Sequence, residues 1–159
     1  MIKVLFVCLG NICRSPMAEG IFIKLLESSN LDDVISCDSS GTSTYHLGQN
    51  SDTRMSLIAT KHGITLNHKA RQFTEYDFDE FDYILAMDRS NMADIKELEW
   101  QDNHNYKLIM MRDFDDNADS LDVPDPYFGE GDEGFENVYQ ILLRSCNNLL
   151  DRIKKENNL

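Results

Sequence analysis

Apolar and polar positions alternate between two regimes along this chain. Ile2 to Val7 is an almost unbroken apolar run, the pattern of a strand buried on both faces. Met17, Ile21, Phe22, Leu25 and Leu26 then recur at helical spacing, predicting an amphipathic helix over residues 15 to about 28. Val34 to Ser39 reads as a second strand, closed by Ser39-Ser40-Gly41-Thr42. A helix follows over residues 52 to 62, with Asp52 as its cap and Gly63 as its stop. Phe81 to Met87 is a third strand. Asp88 caps a helix that runs to about Glu99 with Met92, Ile95 and Leu98 on one face. Tyr106 to Met111 is the fourth strand. From Phe135 to Ile153, the residues Phe135, Val138, Tyr139, Leu142, Leu143, Cys146, Leu149, Leu150 and Ile153 trace one stripe of a long terminal helix, beyond which Lys154 to Leu159 should fray.

Strands separated by helices predict an α/β fold. The expectation is one domain over residues 1–159, a four-stranded parallel sheet with right-handed crossovers and helices on both faces, a Rossmann-like or flavodoxin-like three-layer sandwich. A length of 159 residues suits one such core. The net charge of −13 argues against general binding to nucleic acid or anionic membrane. The first apolar run is too short for a signal peptide or a span, and four cysteines without a small-scaffold or zinc spacing fit a reduced compartment, so a cytoplasmic protein is expected.

The chemistry concentrates between the first strand and the first helix, in Val7-Cys8-Leu9-Gly10-Asn11-Ile12-Cys13-Arg14-Ser15-Pro16. A loop wrapped between Cys8 and Arg14 aims several N–H groups at one point and so binds an anion. Gly10 and Asn11 tolerate left-handed backbone, Ser15 suits a helix cap, and Pro16 suits a first helical turn. A thiol beside a helix N-terminus and a guanidinium is favoured as thiolate, which makes Cys8 a nucleophile. The planar fork of Arg14 fits two phosphate oxygens and would hold phosphorus in line with the sulfur. Without a Gly-Lys-Ser/Thr ending, this is not a nucleotide-binding loop.

A second informative stretch is Val123-Pro124-Asp125-Pro126-Tyr127-Phe128-Gly129, where two prolines restrict the backbone around one carboxylate. Such an acid could protonate a leaving phenolate. The acidic run Asp113 to Asp119 lacks the glycine and glutamate of a calcium loop, with Ala118 and Pro124 at those places, and reads as a solvated loop.

The segment CLGNICRSP resembles the low molecular weight protein tyrosine phosphatases, as do Ala-Met-Asp-Arg-Ser-Asn at 86–91 and Asp-Pro-Tyr at 125–127. The resemblance spans nearly the whole chain. It implies hydrolysis of protein phosphotyrosine and small aryl phosphate monoesters through a phosphocysteine on Cys8, with Arg14 and the loop residues Leu9, Gly10, Asn11, Ile12, Cys13 and Ser15 holding the phosphoryl group. It makes Asp125 the general acid, and Tyr45 and Tyr127 the aromatic walls. Asn11, Ser39 and His68 match positions of a network that holds the loop, and Asp88 and Asn91 brace neighbouring loops. No metal or cofactor is implied. The partners are phosphoproteins or aryl phosphates, the product is inorganic phosphate, and a monomer is expected. Relatives commonly carry a second tyrosine where this chain has Phe128, so phosphorylation at that position is lost.

Cys13, across the loop from Cys8, suggests redox sensitivity through a reversible Cys8–Cys13 disulfide. Three alternatives share parts of the pattern. Arsenate reductases on this fold need a mid-chain cysteine pair, and none lies between Cys37 and Cys146. Protein-arginine phosphatases narrow the pocket with a threonine where Ile12 stands. A non-catalytic phosphate-binding module would not need Cys8, Arg14, Ser15 and Asp125 together.

Overall fold

The computed structural model describes residues 1–99, 103–129 and 131–159. Four strands, β1 (Ile2–Cys8), β2 (Ile35–Gly41), β3 (Tyr83–Ala86) and β4 (Leu108–Met110), form one sheet in the order β2-β1-β3-β4. Every pairing is parallel, as the helical crossovers require. The helices are α1 (Arg14–Ser28), α2 (Thr53–Lys61), α3 (Tyr76–Glu80), α4 (Arg89–Leu98) and α5 (Glu133–Asn157).

The period-two geometry of β1 explains why its apolar run is continuous. Val4 and Phe6 point into the larger core beneath α1, α2 and α5, where the Phe6 and Phe22 rings meet edge to face at 5.6 Å. Leu5 and Val7 point the other way, onto Phe73, Phe78, Phe81, Ile84 and Ile95 beneath α3 and α4. All four β1 side chains are fully buried, each stabilising the fold by about 1.5–3 kcal/mol. A strand placed at the centre of the sheet delivers its last residue, Cys8, to the carboxyl edge, where sites of open α/β sheets form.

Several expectations need correction. β2 continues through Ser40 and Gly41, whereas β4 is only three residues long because Tyr106 lies in one 3-10 turn and Met111 begins another. The short α3 has too few turns to show a period; Asp77 organises it by accepting from the Thr74 N–H at 2.8 Å. The terminal helix continues past Lys154. α5 runs to Asn157, Asn158 closes it in the left-handed conformation at φ 56°, and Glu156 accepts from the Tyr83 hydroxyl at 2.6 Å. Ser15 is not the cap of α1, which begins at Arg14 without a side-chain cap. The acidic loop is not wholly solvated either: the Asp115 side chain is fully enclosed between Arg112 and Arg144.

Candidate active site

The Cys8 sulfur lies at the floor of a pocket of about 240 Å³. Leu9, Gly10, Ile12, Cys13 and Arg14 surround it, Tyr45 and His46 form one wall, and Asp125, Tyr127 and Phe128 form the other. A larger groove of about 470 Å³, between α1 and residues 63–69, touches none of Cys8, Arg14 or Asp125. The pocket is therefore where the predicted chemistry converges.

Two hydrogen-bond partners address the sulfur. The Asn11 N–H reaches Cys8 Sγ at 3.3 Å, and Ser15 Oγ sits 3.0 Å away. Ser15 gives up capping because its hydroxyl is turned inward, and the uncapped start of α1 keeps its N–H groups facing the loop. The loop's carbonyls are satisfied from outside. Thr42 N–H donates to Cys8 O, Ser43 N–H to Leu9 O and Asp52 N–H to Ile12 O, at 2.9, 2.9 and 2.8 Å.

Asn11 holds the loop in shape. It is buried, left-handed at φ 57°, and uses its whole amide. Its Nδ2 donates to Ser15 Oγ (2.9 Å) and Ser39 Oγ (3.0 Å), while its Oδ1 accepts from His68 Nε2 (2.7 Å) and the Arg71 N–H (2.9 Å). Ser39 Oγ donates onward to Glu19 Oε2 at 2.6 Å, and His68 Nδ1 lies 3.1 Å from the same oxygen. Asn11, Ser39 and His68 thus form one network beneath the loop. Gly41 must be glycine there: a Cβ would sit 2.7 Å from Leu9 O and 3.1 Å from the Asn11 nitrogen.

Arg14 is almost completely buried. Its Nη1 donates to Asp88 Oδ2 at 2.7 Å and to Val123 O at 3.0 Å, and its Nη2 lies 3.2 Å from Asp125 Oδ2. Burial opposes the guanidinium's charge, but Cys8, Asp125 and Asp88 outweigh it and raise Arg14 above its ordinary value. A buried cation between carboxylates keeps its charge and its orientation. Asp88 does more than brace a loop: one oxygen orients Arg14 while the other caps α4 through the Asn91 N–H at 2.7 Å. Asn91 is buried outside the pocket lining and meets Asp88 through its backbone.

Asp125 begins a 3-10 turn, Pro126–Phe128, and accepts from the Tyr127 N–H at 3.1 Å. Its carboxylate lines the pocket and lies 3.2 Å from Arg14 Nη2. Tyr45 is mostly exposed at the rim, Tyr127 less so. His46 was not singled out in the sequence. It stands 5.7 Å from the Tyr127 ring, centroid to centroid, and closes over Gly10, where a Cβ would come within 2.9 Å of its Cδ2. Arg54 was missed as well; its guanidinium lies 5.6 Å from the Tyr127 centroid and backs that wall. Only its place beside Tyr45 in the sequence points to His46, and nothing points to Arg54.

All four cysteines are free. Burial, with the charges of Asp52, Cys8 and Asp125 adding to it, pushes the Cys13 thiol well up, so it stays protonated. Cys146 is fully buried in the core, as its place on the stripe predicts. Among the described residues, one group has metal-ligand composition: Glu19, Asp38 and His68. Its atoms are already engaged by Ser39, Asn11 and Arg71 behind the loop, outside the pocket lining.

A thiol at the base of a loop at a strand-to-helix junction, with a buried arginine and a carboxylate beside it on a parallel α/β sheet, can be set beside known proteins similar to this chain. The sequence profile described as low molecular weight phosphotyrosine protein phosphatase matches residues 3–159. The Gallus gallus protein of that description is 44% identical over 150 residues, covering 94% of each chain. A crystal structure of a protein tyrosine phosphatase from Entamoeba histolytica, with Hepes in its active site, superposes with a TM-score of 0.93 at 39% identity over 100% of both chains. A Drosophila arginine phosphatase superposes with a TM-score of 0.90 at 35% identity, covering 96% of this chain and 98% of its own. With the profile matched from Lys3 to Leu159 and the site's residues in place at both ends of that span, this chain belongs to the low molecular weight phosphotyrosine protein phosphatase family.

Proposed function

We propose that this protein hydrolyses phosphotyrosine in proteins, and small aryl phosphate monoesters, by way of a phosphocysteine at Cys8. The observation that carries this reading is the Cys8 sulfur on the pocket floor, hydrogen-bonded by the Asn11 N–H and Ser15 Oγ, with Arg14 and Asp125 arranged above it. The sulfur attacks phosphorus in line with the ester oxygen, and the P–O bond breaks as the S–P bond forms. Asp125 gives its proton to the leaving phenolate. A water then attacks the phosphocysteine, its proton passes to the Asp125 carboxylate, and the S–P bond breaks to release inorganic phosphate.

Arg14 and the loop N–H groups stabilise the equatorial oxygens as the phosphoryl group passes between sulfur and oxygen. Because Nη1 is committed to Asp88 and Val123, Nη2, which lies 3.2 Å from Asp125, is the terminal nitrogen left to serve the substrate. The Ser15 hydroxyl stabilises the sulfur as the S–P bond breaks. The walls of Tyr45, His46, Tyr127 and Phe128 take an aromatic ring. No step calls on a metal or cofactor.

Ile12 and the aromatic walls favour phosphotyrosine over phosphoarginine, despite the likeness to an arginine phosphatase fold. We assign residues 1–159 to a single phosphatase domain acting as a cytoplasmic monomer on phosphoproteins, a location that four free cysteines fit. The test is Cys8→Ser. It should bind phosphate yet turn over neither a phosphotyrosine peptide nor 4-nitrophenyl phosphate, and wild-type protein should act far faster on the phosphotyrosine peptide than on a phosphoarginine peptide. Residual turnover by the serine variant at wild-type rate would rule out the phosphocysteine.

A further inference from the structure

The mechanism uses Asp125 but leaves unexplained a cluster of charged side chains just upstream of it. Asp122 is held from two directions. Its carboxylate accepts from the Arg89 N–H at the start of α4 (2.8 Å) and from the Arg89 guanidinium, Nη2 to Oδ2 at 2.9 Å. Its backbone carbonyl accepts from Arg112 Nη1 at 3.1 Å.

Arg112 is itself immobilised in the interior. Its Nε lies 3.2 Å from the enclosed Asp115, which Arg144 grips with two further contacts of 2.8 and 3.0 Å. Burial works against the Asp115 charge, but Arg144, the Asn117 N–H and Arg112 more than offset it and hold the carboxyl below the usual carboxylate range. The next residue, Val123, is tied by its N–H to Met87 O at 2.7 Å and by its carbonyl to Arg14. Pro124 then leaves little backbone freedom before the acid. Downstream, among the described residues, Asp125 meets only the Tyr127 N–H at 3.1 Å and the buried ring of Pro126, beyond which Tyr127 and Phe128 reach the exposed rim.

We propose that Asp122, clamped by Arg89 and Arg112, is the positioning residue that fixes the reach of Asp125 to the leaving oxygen. It touches no substrate. The proposal rests on Asp125 being the general acid. Two sections of chain meet at this clamp: α4, whose start also holds Asp88 against Arg14, and the 3-10 turn at Met111–Phe114, which is packed on α5. The acid is thereby referenced to the same framework that orients the phosphate-binding arginine. A displacement on the order of 1 Å at such a group costs about 100-fold in rate.

The experiment compares kcat/KM over a series of aryl phosphates whose leaving phenols range from 4-nitrophenol to phenol, for wild type, Asp122→Ala, Arg89→Met and Asp125→Ala. The ratio kcat/KM reports events only through P–O cleavage, so a slower release of phosphate from Cys8 does not mask the effect. Loss of the acid should cost most for phenol, which needs its proton, and least for 4-nitrophenol. Asp125→Ala should lose roughly 100-fold or more on phenyl phosphate, with a much smaller loss on 4-nitrophenyl phosphate. Asp122→Ala should show the same tilt in weaker form, about tenfold on phenyl phosphate, and Arg89→Met should tilt in the same direction.

A loss of equal size across the series in Asp122→Ala and Arg89→Met would reflect structure alone and overturn the positioning role, provided Asp125→Ala tilts. A flat response in Asp125→Ala would instead overturn the general-acid reading beneath it. Asp122 and Arg89 are partly exposed, and thermal melts of both variants identify any loss that is merely unfolding.

Discussion

Asn11 joins a backbone argument to a hydrogen-bond argument, and two substitutions separate them. Asn11→Gly keeps the φ of 57° accessible but removes all four side-chain hydrogen bonds. At about 1 kcal/mol net for each of the four bonds, the loss comes to roughly 4 kcal/mol. Asn11→Ala loses the same bonds and adds the left-handed backbone penalty of about 1–2 kcal/mol. In a domain of this size each kcal/mol is worth about 2–4 °C in Tm, so glycine should melt on the order of 10 °C below wild type and alanine several degrees lower again. Circular dichroism against temperature and urea measures both, and inorganic phosphate as a competitive inhibitor reports the cradle itself. Phosphate affinity should fall in both variants. Equal stability of the two would refute the backbone argument; a glycine variant that melts and binds phosphate like wild type would refute the network.

Three further outcomes follow from other parts of the site. Gly41→Ala forces a Cβ against Leu9 O and the Asn11 nitrogen, so it should lower stability by about 1–3 kcal/mol and weaken phosphate inhibition together; unchanged phosphate affinity in a folded variant would show that β2 does not support the loop. Peroxide should oxidise Cys8 to a sulfenic acid, which the Cys13 thiol then condenses with, losing water to form a disulfide. Because Cys13 is held protonated that second step is slow, and mass spectrometry finding only sulfinic or sulfonic Cys8, with no Cys8–Cys13 bond, would reject protection by Cys13. Activity should persist in excess chelator; loss of turnover restored by added divalent metal would contradict a mechanism built from Cys8, Arg14 and Asp125 alone.

The parts of this molecule that show in the sequence are those in which one segment carries its own signal. The apolar run of β1, the stripe of α5 and the loop from Cys8 to Pro16 each need no distant partner to be recognised. Asp52 and Asp88 were readable as caps because capping is local, and both accept the expected N–H groups. What escaped depends on contacts across the fold. The second use of Asp88, on Arg14, joins residues 74 positions apart, and the enclosure of Asp115 needs Arg144 from α5 to neutralise what otherwise reads as a solvated acidic run. His46 and Arg54 both meet the Tyr127 ring, which another loop supplies, so their places at the site depend on contacts across the fold. Ser15 was assigned the wrong local job for the same reason: its hydroxyl has a better partner in Cys8 than in its own helix. The short α3 lies below the length at which a helical period can be seen.

The route by which Arg14 is held has a consequence for how the protein is made. Its partners Val123 and Asp125 emerge from the ribosome more than a hundred residues after Cys8, and the helix that backs their loop emerges later still. While synthesis is under way the thiol is already present but lacks the carboxylate of Asp125 and two of the three partners that hold Arg14. Turnover should therefore begin only after residues 123–125 and the helix that follows them have left the ribosome.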